Sequence, residues 1–297
     1  MTQSRQLFSD ENLPALFKAA DRFSAEGRSR RRLFFIGFLL CDVAAAMVAA
    51  TDVHSTTSSV VSLVLVVLGL LGSILLLQET PEADWYGGRA LAESVKTLAW
   101  RFMMCAEPYS YGLPVGEADR KLIQEMRGLL IVERGLMRGL NMRGSTEVQI
   151  SSAMREIRLL DVEQRKRLYL ESRLRNQQDW YAGKARSAHR WLKYCNRLLV
   201  VIQLALVIQA ISLVVNPVRP FSLIGLFSTI AASLVAWQQL NQYGGLAVAY
   251  NLASHELAEI QSIVDRVETE NELEEFVLNA ERAISREHTL WRARRTE

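Results

Sequence analysis

Asp42 has the most distinctive chemistry in the sequence, because it is a carboxylate in the middle of an apolar run that extends from Leu33 to Ala50. A charged side chain at the centre of a membrane helix costs about 2.5–3.5 kcal/mol on insertion scales, and such groups usually face a bundle interior or a water path. Asp42 could therefore attract cations or protons in an oligomeric pore. The alternative is a structural hydrogen bond between helices, with Gln203 or Gln209 as partner, or a position nearer the membrane surface.

Amide and hydroxyl side chains stand in a second apolar run, where Gln203, Gln209 and Ser212 interrupt residues 198–215. They could hold helices together through hydrogen bonds worth about 0.6–2 kcal/mol each. They could instead line a pore. The candidate pore or intramembrane polar residues are therefore Asp42, Gln203, Gln209 and Ser212.

No motif for catalysis or for a bound cofactor accompanies these residues. HELAE, beginning at His255, resembles the zinc-protease helix, but Glu259 stands where the second histidine must be. The acidic run ETENELEEF (268–276) lacks the central glycine of an EF-hand loop and is interpreted as the solvated start of a helix. The sequence also lacks the glycine-rich phosphate loops and the GxSxG nucleophile motif. We expect no enzyme activity, no metal and no cofactor.

The elements that must position the polar residues are four apolar runs, at 33–50, 60–77, 198–215 and 221–237. At about 1.5 Å per helical residue, each is just long enough to cross a hydrocarbon core of about 30 Å. None of the four shows the charged face of a buried soluble helix. The sequence predicts an all-α membrane protein with four transmembrane helices in two hairpins, and long cytosolic helices that form a helical bundle or coiled-coil-like region.

Lysine and arginine residues cluster before the first and third runs, whereas the connecting loop 51–59 has none and 216–220 has only Arg219. By the positive-inside rule, both termini and the long middle segment should face the cytosol. The net charge of +3 reflects these membrane-flanking arginines. Because no RNA-binding or zinc-finger pattern accompanies it, we do not expect nucleic acid as a partner.

The pattern Y-G-G-x-A-x-A occurs twice, each time shortly after a hairpin, and indicates an internal duplication. Each copy would be a hairpin with flanking helices, and the predicted domains are 1–112, a connecting segment 113–146, and 147–297. The matched positions are interpreted as a repeat hinge: Tyr86, Gly87 and Gly88 in the first copy, and Tyr243, Gly244 and Gly245 in the second.

Helical periodicity outside the apolar runs predicts the remaining elements. A lead-in helix precedes the first run, and residues from about Glu147 to Val215 could form one long helix, since no proline occurs between Pro114 and Pro217. Two apolar stripes follow the fourth run, one from Leu246 to Val264 and one from Leu273 to Trp291. They should bury against antiparallel helices of the same chain or of neighbouring chains.

The stretch RLYLESRLRNQQDWYAGKARSAHRW (167–191), together with FVLNAERAISREHTLW (276–291), resembles the SLATT family, the SMODS- and SLOG-associating two-transmembrane effector domains of bacteria. The first half of the chain resembles a second, divergent unit, through DWYGGRALAESVKTLAWRFMMCAEPYSYG (84–112). The positions carried over as shared motif residues are Arg175, Gln178, Trp180, Tyr181, Lys184, Glu281, Arg286, Glu287 and Trp291.

The resemblance implies a membrane effector of bacterial conflict systems that acts on the bilayer when a partner sensor protein or a nucleotide signal activates it. We expect a homo-oligomeric pore in the bacterial inner membrane, because four spans per chain are too few to enclose a wide pore alone. A membrane-anchored scaffold that binds a cytosolic partner without conducting ions is the competing hypothesis. A transporter is a more distant one.

Overall fold

The computed structural model describes residues 8–51, 56–78, 81–132, 148–215 and 222–293, with side chains described for all of these except 77–78 and 286–293. These residues form helices and no β-strand, which confirms the all-α prediction for the described part of the chain. The α-helices are α1 (Ala15–Ala49), α2 (Thr56–Gln78), α3 (Pro81–Met103), α4 (Val115–Val132), α5 (Ser152–Arg158), α6 (Val162–Tyr169), α7 (Asn176–Val215), α8 (Ile224–Asn241), α9 (Tyr243–Gln261) and α10 (Glu270–Ala293).

The chain divides into two compact units. Unit 1 comprises Met1–Arg28, Glu82–Gly183 and Ala249–Glu297, and unit 2 comprises Ser29–Pro81 and Lys184–Val248. Each unit therefore draws on both predicted sequence domains, whose own boundaries stay a prediction. The predicted connecting segment 113–146 contains α4, and its residues 133–146 lie outside the described part.

Unit 1 is built around one hydrophobic core of buried side chains. The predicted lead-in helix contributes Leu13, Phe17, Ala20 and Phe23, all less than a tenth exposed. Both apolar stripes after the fourth run contribute buried side chains to the same core, so in their described part they pack within the chain. Their buried members are Ala253, Leu257, Leu273, Phe276, Val277, Ala280 and Ile284.

The long helix expected from Glu147 to Val215 is interrupted, so that part of the prediction is wrong. Helix α5 ends at Arg158, and α6 begins after Asp161, whose carboxylate accepts a hydrogen bond of 2.8 Å from the backbone N–H of Gln164. Such an N-cap satisfies one of the otherwise unpaired N–H groups at a helix start. From Val162 onward the chain is helical up to Val215, with a π-helical turn at Leu170–Arg175.

The acidic run 268–276 begins a helix, as the sequence predicted. The N–H groups of Glu268 and Thr269 both donate to Oε2 of Glu272 at 2.9 Å, and the N–H of Glu272 donates to the Thr269 hydroxyl at 3.3 Å. This reciprocal arrangement is a capping box at the start of α10.

Unit 2 contains the apolar parts of α1, α2, α7 and α8. Side chains of α2 such as Leu63, Leu70 and Leu71 are at least half exposed on the chain. Contiguous exposed apolar surface of this kind marks contact with a membrane or with another protein. By length and composition, three stretches of the described residues could cross a membrane: Ala15–Ala49, Thr56–Met103 and Val162–Val215.

The fourth predicted span, 221–237, differs from the other three. Helix α8 begins only at Ile224, and its last turns carry Gln238, Gln239 and Asn241. These polar residues lower its apolar character, and α8 is not among the stretches that could cross a membrane by length and composition. The structure thus supports three of the four predicted spans by this criterion.

Candidate functional site

Asp42 lies against the second helix of its own hairpin. A Cβ placed on Gly69 of α2 would be 3.3 Å from Oδ1 of Asp42, and one placed on Gly72 would be 3.7 Å from Cβ of Phe38. The two glycines let α1 and α2 approach closely, as small residues do in membrane helix pairs. Asp42 itself is half-buried in unit 2. The carboxylate is therefore placed at a tight helix–helix contact.

Gln203 lies on a different face of α7 from Gln209 and Ser212, which are three positions apart and share a face. Gln203 is exposed, whereas Gln209 and Ser212 are half-buried. Gln209 follows Gln203 by six positions, which puts the two on different sides of an α-helix. Among the described residues, no hydrogen bond joins Asp42 to either glutamine. The hydrogen-bonded partners suggested by the sequence are thus not observed in this chain.

The predicted repeat hinge has two different settings. Tyr86, Gly87 and Gly88 lie inside α3, where a Cβ on Gly88 would approach the N atom of Ser24 to 2.9 Å and the carbonyl oxygen of Ala20 to 3.1 Å. Gly88 is therefore the point at which α3 contacts the backbone of α1.

The second copy of the repeat lies at a helix junction. Tyr243, Gly244 and Gly245 open α9 directly after Gln242, whose φ of 45° ends α8 in the left-handed region. A non-glycine residue rarely adopts that conformation, and Gln242 marks the break between α8 and α9. This break lies one residue before the predicted hinge.

The motif residues Trp180 and Tyr181 belong to an aromatic cluster in unit 1. The ring of Tyr250 lies 5.5 Å from that of Trp180 and 5.9 Å from that of Tyr181. The guanidinium of Arg89 lies over Trp180 at 5.2 Å from the ring centre, within the range of a cation–π interaction. This cluster joins α7 to α9 and to α3.

The remaining residues of the first motif lie at the surface or outside unit 1. Arg175 is exposed, and the backbone oxygen of Gln178 accepts a 3.4 Å hydrogen bond from the Ser254 hydroxyl. Lys184 is exposed and is the first residue of the second segment of unit 2.

Of the second motif, Arg286, Glu287 and Trp291 lie within α10, but their side chains are outside the described part.

Glu281 is the centre of a buried polar network. Arg173 donates to both of its carboxylate oxygens, at 2.9 and 2.8 Å, and the two side chains are 1% and 2% exposed. Tyr169 donates to Oε1 at 3.0 Å, and Thr97 donates to Oε2 at 2.8 Å. Three side chains, from α3, α6 and the π-helical turn, thus meet at one carboxylate of α10.

Electrostatics in this network favour the ionised pair. Burial alone would lower the pKa of Arg173, but the charge of Glu281 and its hydrogen bonds raise that pKa above the ordinary value, with a further contribution from Glu93. Burial, and then the charge of Glu281, raise the pKa of Tyr169 well above its usual value. Arg173 is therefore held charged and Tyr169 is held as a neutral donor.

Two further arginines are buried beside this network. Arg165 is fully buried, donates to the carbonyl of Met104 at 2.9 Å, and pairs with Glu270. Arg158 donates to the carbonyls of Phe102 at 2.9 Å and Tyr109 at 2.7 Å, which belong to the end of α3 and the loop after it. Both hold the end of α3 and the loop after it through backbone carbonyls, of which that of Phe102 also accepts from the N–H of Cys105 at 3.3 Å.

Sequence reasoning identified Glu281 but missed these three arginines. A signal was available, because Arg165, Tyr169 and Arg173 recur every fourth residue on the face that also carries Leu174 and Tyr181. The dense charge pairs of the surrounding sequence concealed it. Among the described residues, no group of three or more His, Cys, Asp or Glu side chains could hold a metal ion.

Comparison with known proteins places both halves of the chain in one family. Residues 14–166 match the SMODS and SLOG-associating 2TM effector domain 3, and residues 169–291 match the SMODS and SLOG-associating 2TM effector domain 1. No curated protein matches the chain, and no solved structure matches it. The first match alone covers more than half of the residues, and the chain therefore belongs to the SLATT family, of which it carries two domains in tandem.

Proposed function

We propose that the protein is an oligomeric pore- or channel-like effector of a bacterial conflict or stress-response system. The observation that carries the proposal is Asp42, a carboxylate within an apolar helix that lies against Gly69 and is only half-buried. An ionisable side chain within a membrane helix marks a functional site by default, since its cost must be balanced by a role. We assign Asp42 to the ion path.

The oligomer is supported by the surface of unit 2. Gln203 is exposed on α7, within the apolar stretch, and among the described residues it has no hydrogen bond. An amide facing lipid would be left unsatisfied at a cost of several kcal/mol. A second copy of the chain, or a water-filled lumen between copies, would satisfy it. The proposal counts α8 as the fourth span, which pairs with α7 in a second hairpin.

Unit 1 has the properties of a control element. Its buried network ties α3 and α10 together, and both termini would lie with it in the cytosol, at the inner membrane. A sensor protein or a nucleotide signal would act on these helices and thereby open the pore. The family's effector domains supply the context of a bacterial conflict system.

An ion-flux assay in vesicles tests the proposal. Purified protein is reconstituted with a dye that reports ion entry, and wild type is compared with Asp42→Asn. Asp21→Asn is the matched control, because Asp21 lies on the same helix but in unit 1 and is exposed. We expect flux that changes with Asp42→Asn and not with Asp21→Asn. Equal flux in all three proteins would remove Asp42 from the mechanism.

A membrane-anchored scaffold is the second candidate function. It is favoured by apolar side chains exposed on α4 of unit 1, namely Ile123 (42%), Ile131 (51%) and Val132 (74%), which fit a protein partner. Replacing the apolar spans with generic Leu/Ala helices discriminates the two. A scaffold keeps its cellular function after the replacement, whereas a pore loses it.

A further inference from the structure

Four basic residues form one row on the outer face of α7, directly before its apolar stretch. Arg186, Arg190, Lys193 and Arg197 recur at intervals of four, three and four residues, which places them on a single side of an α-helix. All four side chains are exposed. We name this set the basic row; all of its members belong to unit 2.

The opposite face of the same stretch is the one that packs against the chain. Ala185, Ala188 and Cys195 are less than a tenth exposed. The basic row thus points away from the chain's own packing. Among the described residues, no carboxylate forms an ion pair with any of its four members. Four like charges at helical spacing repel one another, so an anionic occupant would relieve that repulsion.

Two aromatic side chains accompany the row. Trp191 is 50% exposed and Tyr194 is 58% exposed, and their ring centres are 5.9 Å apart. Trp and Tyr are enriched where membrane helices pass through the headgroup layer, because one part of each ring is apolar and the other is polar. Their exposure beside the row fits a position at the edge of a lipid headgroup layer.

The distances along the helix fit the headgroup layer. With a rise of about 1.5 Å per residue, Arg197, Lys193 and Arg190 lie about 1.5, 7.5 and 12 Å before Leu198, the first residue of the apolar stretch. The headgroup layer is about 5–8 Å thick on each side of the hydrocarbon core. Helical side chains lean towards the N-terminus, so the Arg197 guanidinium lies outside the hydrocarbon.

We propose that the basic row binds the phosphates of anionic lipids in the leaflet where α7 enters the membrane. Arg197 and Lys193 reach the phosphates directly, whereas Arg190 and Arg186 lie beyond the headgroup layer and act through the surface potential, which decays over about 10 Å. Basic clusters next to a membrane helix recognise anionic lipids in this way. The proposal requires that α7 crosses a bilayer, and it does not depend on ion conduction.

Fluorescence quenching by brominated lipids provides the test. The full-length protein is reconstituted in phosphatidylcholine vesicles that contain brominated phosphatidylglycerol or, separately, the same fraction of brominated phosphatidylcholine. The signal of Trp191 is obtained as the difference between each protein and its Trp191→Phe version. The ratio of the two quenching efficiencies measures the preference of the site for the anionic headgroup.

The triple variant Arg190→Gln, Lys193→Gln, Arg197→Gln should abolish the preference. For wild type we expect phosphatidylglycerol to be favoured about threefold or more, falling as ionic strength rises. Arg186→Gln alone should keep most of the preference. The matched control is Arg120→Gln, Lys121→Gln, Arg127→Gln, which removes the same charge from exposed positions of α4 and should leave the preference unchanged.

Three results would overturn the proposal. One is a wild-type protein that is quenched equally by both lipids, as expected if an acidic protein segment or a nucleic acid occupies the row. The other is a triple variant that retains the wild-type preference although its circular dichroism shows a folded protein. Lipid preference lost equally in the α4 control would likewise assign the effect to net charge and not to the row.

Discussion

Glu281 shows at the residue scale how strongly one carboxylate can depend on its neighbours. It accepts from Arg173, Tyr169 and Thr97 in a buried region, so all three donors depend on this one carboxylate. Breaking a buried ion pair leaves an uncompensated charge, whereas replacing both partners with apolar residues can be nearly neutral. The network therefore predicts a strongly non-additive response to mutation.

We expect Glu281→Gln to destabilise the protein by about 3–5 kcal/mol, because Arg173 stays charged and loses its partner. The double variant Glu281→Leu, Arg173→Met should lose less than the single change. Thermal unfolding in detergent measures both. Arg167→Gln is the control, since Arg167 and its partner Glu163 are 58% and 56% exposed and such pairs contribute at most about 1 kcal/mol. Additive effects of the two buried changes would contradict the network.

Gly88 supplies a second prediction at the residue scale, because the close approach of α3 to α1 needs the absence of a side chain. Gly88→Ala would force its Cβ to within 2.9 Å of backbone that cannot rotate away. We expect a loss of about 1–3 kcal/mol from overpacking. Gly183→Ala, also within a helix but with no atom within 4 Å of the new Cβ, should be neutral or stabilising by up to about 1 kcal/mol. The melting temperature of each variant is compared with that of wild type, and we expect a decrease for Gly88→Ala only. Equal changes in the two variants would refute the contact at Gly88.

At the element scale, helix ends were less predictable than helix faces. The stripes of α9 and α10 and the acidic start of α10 follow from periodicity and composition. The break between α5 and α6 was missed because Leu159 and Leu160 continue a helical pattern, although Asp161 followed three residues later by Gln164 is a sequence signature of a helix start. The π-helical turn at Leu170–Arg175 has no sequence marker of this kind.

The capping box of α10 makes its stability dependent on pH. Hydrogen bonds from the N–H groups of Glu268 and Thr269 lower the pKa of Glu272 below its ordinary value. A carboxyl with a lowered folded-state pKa stabilises the fold above its unfolded pKa of about 4.3, and that stabilisation is lost as pH falls through the folded value.

Glu272→Ala should therefore lower the melting temperature at neutral pH, and the difference from wild type should shrink in acid. Glu275→Ala, on the same helix and exposed, is the control and should show a smaller difference at every pH. Melting curves recorded from neutral pH down to pH 3 give the comparison. If the difference in melting temperature between wild type and Glu272→Ala stayed constant across this range, the charge of Glu272 would not cap the helix.

At the scale of the whole molecule, the two SLATT domains share the core of unit 1. Thr97 of the first matched region donates to Glu281 of the second. In the same way, Arg89 of the first region lies over the ring of Trp180 of the second. The sequence predicted the tandem from its repeated words and hairpin positions. It could not predict this sharing, because contacts between distant segments leave no local pattern in one sequence.

Shared burial predicts that neither half is stable alone. When residues 1–166 and 167–297 are expressed separately, each should aggregate or be degraded, since each would expose apolar side chains that the other covers. Co-expression should yield a complex that purifies together. The same complex carrying Glu281→Gln is the control and should be weaker. Two halves that fold and stay monomeric on their own would disprove a common core.

The central claim, that the protein conducts ions along a path that includes Asp42, is tested most directly by the reversal potential in planar bilayers under a salt gradient. The account predicts discrete currents with a cation-selective reversal potential in wild type, shifted towards zero by Asp42→Asn and unchanged by Asp21→Asn. Currents whose selectivity is identical in wild type and Asp42→Asn would contradict it.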